Sequence, residues 1–152
     1  MPQNLLHSSS KAAILKRVSA LSTEAQARWG IMNAQEMLCH TADQLRVALG
    51  EIPAPVTGNF FMRTIGKWGV VAGIPIPKGS PTMAEVDPKR TGTQPTELEA
   101  DRASLVSCIE TFTARVETEP FSPHPLFGKM SRNQWGKLAY IHLDYHLKQF
   151  GG

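Results

Sequence analysis

Apolar residues recur at three- and four-residue steps in four stretches of the chain, the period of a helix with one buried face. Ile14, Val18 and Leu21 predict a first helix over about residues 10–21. Met37, Leu38, Thr41, Leu45 and Ala48 predict a second. It opens at Asn33, where Glu36 three residues on completes a capping box. It closes at Gly50, a residue suited to the left-handed position after a helix. Leu98, Leu105, Ile109, Phe112 and Val116 predict a third helix beginning near Pro95, a good first-turn residue. The fourth is expected from Ser131, with Gln134 forming a second capping box, to Phe150 before Gly151. A shorter helix fits residues 60–68, although Gly66 and Gly69 weaken it.

Residues 69–94 interrupt this pattern with Gly73, Pro75, Pro77, Gly79, Pro81 and Pro88. Such a stretch forms neither a regular helix nor a central strand. A connection of this length in a compact domain is usually functional or a crossover. No stretch alternates at the strand period, and no internal repeat is visible. The expected class is all-α, with one domain over residues 1–152.

Composition narrows the function classes. The chain has 152 residues, with 41% hydrophobic and 19% charged, which suits a soluble globular domain. The net charge is only +3, with pI near 9.0, and the densest basic cluster is Lys89 with Arg90. A nucleic-acid partner is therefore not expected, since that needs a basic stripe with interleaved aromatics. Residues 1–4 lack the start of a secretory leader, and no apolar run approaches the roughly 18–20 residues of a membrane span. No membrane partner is expected either. The two cysteines, Cys39 and Cys108, lie far apart in helical stretches and suit small buried roles in a reducing cytosol.

The candidate chemistry lies on the fourth helix. His142 and His146 are four residues apart and stack on one face, about 40° apart around the axis. Projection at about 100° per residue groups them with Trp135, Leu138, Ala139 and Gln149. Lys137, Asp144 and Lys148 fall opposite. Two imidazoles on a buried face are costly without partners, and a metal ion satisfies both neutral rings. Two ligands rarely suffice, and His40, on the flank of the second helix's apolar stripe, is the third candidate. Gln149, one turn beyond His146, could orient a ligand from behind. His124, in the loop SPHPLFG at residues 122–128, is read as a loop-packing or pocket-rim residue. His7 sits in an expected frayed terminus and takes no role. Glu36 is assigned to capping and Asp43 to a solvated face, while Trp29, Trp68 and Trp135 are assigned to packing.

The segment RWGIMNAQEMLCH at residues 28–40 resembles the tryptophan-to-histidine helix of the DinB/YfiT-like superfamily. The loop HPLFG at 124–128, followed by SRNQW at 131–135 and the HxxxH helix ending in QFG, resembles one branch of it, described as a domain of unknown function. The resemblance runs from about residue 10 to residue 151. It implies a four-helix bundle of up-down-down-up type, with the Gly/Pro-rich crossover between helices 2 and 3. It also implies a three-histidine metal site, whose members fall on His40, His142 and His146. The superfamily includes metal-dependent thiol transferases and a maleylpyruvate isomerase, so the resemblance speaks to fold and site more than to reaction.

The expected function is a divalent-metal-dependent enzyme with an open coordination position. It would activate a low-molecular-weight thiol or water against a small-molecule substrate. Zinc or nickel leads the expectation for the metal, with iron next. No catalytic residue beyond the ligands is assigned, and the lack of an evident general base favours thiol over water. The alternatives are a non-catalytic metal- or ligand-binding bundle and a bundle whose histidines are satisfied by hydrogen bonds. A homodimer is expected, using the exposed part of residues 98–116.

Overall fold

The computed structural model describes residues 3–152, so Met1 and Pro2, within the segment read for a leader, lie outside it. The described residues form α1 (Ser8–Ala20), α2 (Ala34–Leu49), α3 (Lys67–Val71), α4 (Leu98–Ala114) and α5 (Arg132–Gln149), with no strand among them. A wide π turn (Met62–Gly66) leads into α3, and a 3-10 turn (Ala84–Val86) precedes α4. α2 packs most extensively on α4 and also meets α5, while α1 packs on both α4 and α5. Their inner faces supply the core, including fully buried Ile14, Met37, Leu45, Leu105, Phe112, Trp135 and Leu143.

The two histidine-bearing helices start where side chains satisfy orphan amides. At α2, Asn33 Oδ1 accepts from Glu36 N at 2.8 Å, and Glu36 Oε2 accepts from Asn33 N at 2.9 Å. At α5, Ser131 Oγ accepts from Gln134 N at 3.2 Å, and Gln134 Oε1 accepts from Ser131 N at 2.9 Å. Gly50 ends α2 with φ of +79°, a conformation that costs glycine little. These boundaries fix which residues of α2 and α5 face each other.

Five expectations need correction. The third long helix begins at Leu98, not near Pro95. The backbone N–H and hydroxyl of Thr96 each donate to the buried Asp101 carboxylate at 3.0 Å, holding the chain extended before the helix. Val116 lies beyond the end of that helix and is exposed. The N-terminus is not frayed over residues 4 and 5. Leu5 is fully buried and donates to Gly136 O at 3.0 Å, and Asn4 Nδ2 donates to Asn133 Oδ1 at 2.8 Å. A Cβ at Gly136 would stand 2.1 Å from Asn4 Oδ1, so glycine is what lets the terminus dock on α5.

Asp43 is not solvated: it is wholly buried, with Thr93 of the Gly/Pro-rich segment against it. Its carboxylate accepts from Thr93 N and Thr93 Oγ1, both at 2.7 Å, and pairs with Arg46 at 2.7 Å. Lys89 reaches Glu36 at 3.1 Å from the same segment. The Gly/Pro-rich segment is thereby fastened to α2. Trp68 is not a packing residue but is 64% exposed. In an α-helix Met62 and Val70 would point about 80° apart. The wider π turn draws them toward one line, and they pack on the core while Trp68 faces outward. No helix of the described residues is long and apolar enough to cross a membrane.

Candidate metal centre

His40 projects from the middle of α2, and His142 and His146 from successive turns of α5. Helix packing brings the three rings together, with centroids 4.7–4.8 Å apart and edge-to-face planes. One ring nitrogen from each lies within 4.8 Å of the others, a group that could hold a metal ion. His40 and His146 are buried. His142 is half-buried.

Two of the rings have their back nitrogens committed. His40 Nδ1 lies 2.7 Å from Val86 O, an acceptor only, so that nitrogen carries the proton. His146 Nδ1 lies 2.8 Å from Gln149 Oε1. The Gln149 amide is itself oriented, because its Nε2 donates to Trp29 O at 2.6 Å. His146 Nδ1–H therefore donates to a carbonyl oxygen held in place from the chain before α2. Each ring is left with an unprotonated Nε2 turned away from its partner. Such hydrogen bonds behind a ligand fix the tautomer and raise its basicity.

The remaining nitrogen tests the fit. His40 Nε2 and His142 Nε2 stand 3.0 Å apart. Two nitrogens at about 2.0–2.1 Å from one tetrahedral zinc ion are roughly 3.3–3.4 Å apart. A spread of a few tenths of an ångström converts one arrangement into the other. Without an ion, the neutral His142 ring can donate its Nε2–H to the His40 lone pair. With an ion, its other tautomer offers a third lone pair. The donor set is all imidazole, which suits zinc, nickel, copper or iron without singling one out.

Electrostatics keep the donors neutral. Burial pushes His146 down to about 3, the adjacent His40 adds to this, and the Gln149 bond opposes it. Burial also lowers His40, against the favourable Val86 carbonyl. His142 falls well below the ordinary imidazole value, through burial and then the neighbouring rings of His146, His40 and His124. Neutral imidazoles are the form a metal binds.

His124 is buried but is not part of this group. Its Nδ1 accepts from Leu126 N at 3.0 Å and Phe127 N at 3.2 Å. The ring proton therefore sits on Nε2, which lies 3.0 Å from the end of the Gln44 side-chain amide and donates to it when the amide oxygen is turned toward the ring. The ring stacks on Phe127 at 4.7 Å, and the backbones of His124 and Gly128 exchange two hydrogen bonds of 2.8 Å. Its role is to hold the loop. Trp135 is buried, whereas half-buried Trp29 donates from Nε1 to Tyr145 Oη at 3.0 Å, and the Tyr145 ring abuts His146 at 5.0 Å.

Val86 was absent from the sequence-based set, and its part is played by a backbone carbonyl. Only the side chain is written in sequence, and any residue there would present the same oxygen. The one available signal was the length of the Gly/Pro-rich segment. Cys39 is inert, since burial and then Asp101 and Asp43 push its thiol up to about 12. Two surface depressions are lined elsewhere, one by Arg46, Glu51 and Cys108 with α4 residues, the other by residues around Met32 and Leu98.

No curated protein matches the chain, and no solved structure matches it. A family model described as "Protein of unknown function (DUF1569)" matches residues 2–151, and the chain belongs to that family.

Proposed function

We propose that this chain is a divalent-metal-dependent enzyme that holds its ion on His40, His142 and His146 and leaves one coordination position open. The observation that carries the proposal is the pair of back-side bonds from His40 Nδ1 to Val86 O and from His146 Nδ1 to Gln149 Oε1. They cost nothing to a purely structural cluster, but they leave two Nε2 lone pairs facing a third imidazole, the arrangement of a ligand set. In the same proposal α1, α2, α4 and α5 are the four helices of an up-down-down-up bundle of the DinB/YfiT type. Their lengths and mutual packing support that reading, with the long segment between α2 and α4 as the crossover.

A divalent ion there supplies positive charge that favours the deprotonated form of a thiol or water. The chain's own residues set the rest. Burial keeps three imidazoles neutral and ready to donate lone pairs. Val86 and Gln149 fix two rings against rotation. His142, with its partial exposure, marks the side from which a small molecule enters.

The carboxylates of α2 and α5 that could serve as a base are engaged elsewhere. Asp43 is held by Thr93 and Arg46, Glu36 by the helix cap and Lys89, and Asp144 by Arg17 and Lys148. This favours a low-molecular-weight thiol over hydrolysis, because a thiol is acidic enough to pass its proton to solvent water beside a cation and then needs no protein base. Zinc or nickel is the proposed ion, with iron third. A second reading, a non-catalytic metal-binding bundle, is favoured by the burial of His40 and His146, which leaves one half-buried ring as the only approach from solvent.

The test is metal analysis of protein purified without tag or chelator, beside a His142→Ala/His146→Ala variant. About one equivalent of zinc, nickel or iron, lost in the variant, supports the site. Thiol-transfer activity that depends on the ion then separates enzyme from binder. Metal-free protein that also fails to bind added ion would sink both readings.

A further inference from the structure

We propose that residues 60–74 form a docking surface that seats the protein on an anionic phospholipid bilayer, lying on it rather than spanning it. The inference is independent of the metal centre.

Eight large apolar side chains are prominently exposed among the described residues; five of them, Phe60, Phe61, Ile65, Trp68 and Ile74, lie within residues 60–74, and Val56 lies just before it. The other two, Ile31 and Val116, are isolated in sequence. Scattered apolar residues on a surface need no explanation, but a contiguous group containing two phenylalanines and a tryptophan does. The helix over residues 60–71, which carries four of them, is not loose. Its opposite side packs through Met62, Val70 and Val71, and Thr57 N and Gly58 N donate to Pro125 O just before it, at 2.8 and 3.0 Å. A fixed helix therefore presents an unpartnered aromatic side outward.

Charge identifies what covers it. Residues 52–84 contain Arg63, Lys67 and Lys78 and no acidic residue. Removing these three from the chain's sixteen basic residues leaves thirteen against thirteen acidic ones, so the whole net charge of +3 resides in this segment. Lys67 Nζ donates to Lys129 O at 3.1 Å, which brings its ammonium beside exposed Lys129. Aromatic and aliphatic side chains with flanking cations are the composition of helices that rest at a membrane interface. The apolar rings enter the headgroup boundary, and the cations meet anionic lipid.

A second copy of the chain suits this surface less well. An isologous contact would set Arg63 and Lys67 against their own counterparts with no carboxylate to pair them. The exposed positions of α4 do not compete for the role, since Ala103, Ser104, Ser107, Glu110 and Thr111 are small or polar. The expectation of no membrane partner rested on the absence of a span, which hydropathy detects and an interfacial helix escapes.

The test mixes the full chain with vesicles of phosphatidylcholine alone or of phosphatidylcholine with phosphatidylglycerol, reading co-sedimentation and tryptophan emission. The expected result is binding to the mixed vesicles with a blue shift, and at least roughly tenfold weaker binding to phosphatidylcholine alone. Phe61→Ser/Trp68→Ser should abolish binding while leaving the melting temperature nearly unchanged, because both side chains are exposed. Arg63→Gln/Lys67→Gln should weaken binding by about tenfold or more and flatten its salt dependence. No binding to mixed vesicles, or undiminished binding of the Phe61/Trp68 variant, would overturn the proposal. So would a dimer in light scattering that this variant converts to monomer, or retention on polyglutamate without vesicle binding.

Discussion

The inner face of α5 and the outer face of residues 60–71 both run against the usual segregation of apolar from polar groups, in opposite directions. On α5, His146 and Gln149 are buried beside Trp135 and Leu143. On the surface helix, Phe60, Phe61, Ile65 and Trp68 stand in solvent. The first inversion is compensated within the chain: His146 Nδ1 reaches Gln149, Gln149 reaches Trp29 O, and no buried polar side-chain atom among the described residues lacks a partner. The second has no compensation within the chain. A buried polar group with every bond made defines an internal site, whereas an exposed apolar group with none defines a surface for something else.

Two tryptophans sharpen this contrast most strongly. Trp135→Ala should cost about 3–5 kcal/mol in urea denaturation, since the residue fills the core and its Nε1 donates to Ser122 O at 3.0 Å. Trp68→Ala should stay within about 0.5 kcal/mol of the parent. Equal costs would mean that residues 60–71 are packed as firmly as α5, and the comparison would fail.

Acid should act directly on the buried rings, with an effect at least as large. His124 and His146 ionise with ordinary values near 6.5 when unfolded but are pushed down to about 3 by burial when folded. Between those values the unfolded chain binds more protons, so stability is full above about pH 6.5 and falls as pH drops toward 3. Each ring contributes a loss of up to about 1.4 kcal/mol per pH unit in that window. Denaturant midpoints of chelator-treated protein at a series of pH values check the slope. A flat profile from pH 7 to 4 would contradict the burial of neutral rings.

Gln149→Leu should lower metal affinity about 10–100-fold, because His146 loses the oxygen that orients it. The Trp29 carbonyl also loses that donor. Gln149→Glu should restore a good part of the loss by supplying an acceptor to Nδ1. If Leu and Glu behave alike, the bond is only packing.

Much of this was legible in the amino-acid sequence where local chemistry decides. Asn33 with Glu36 and Ser131 with Gln134 announce helix starts through side chains that reach only three residues. The projection of α5 placed His142 and His146 with Trp135 because the segment is an unbroken helix. What escaped depends on distant partners. Pro95 looked like a helix start until Asp101 drew Thr96 into an extended cap. Asp43 looked solvated because nothing in α2 alone tells that Thr93 lies over it. Trp68 looked like core because the π turn that redirects it has no clear sequence signature. The Val86 carbonyl behind His40 could not be read from a side chain at all.

The central claim, that His40, His142 and His146 form one preorganised ligand set, is tested most directly by calorimetric titration of zinc into chelator-stripped protein and into a His40→Ala variant. His40 comes from a different helix than the other two, so it reports on their assembly rather than on the HxxxH pair alone. The account predicts one equivalent bound by the parent with a raised melting temperature, and a large loss of affinity in the variant. Equal binding by parent and variant, or no binding by either, would contradict it.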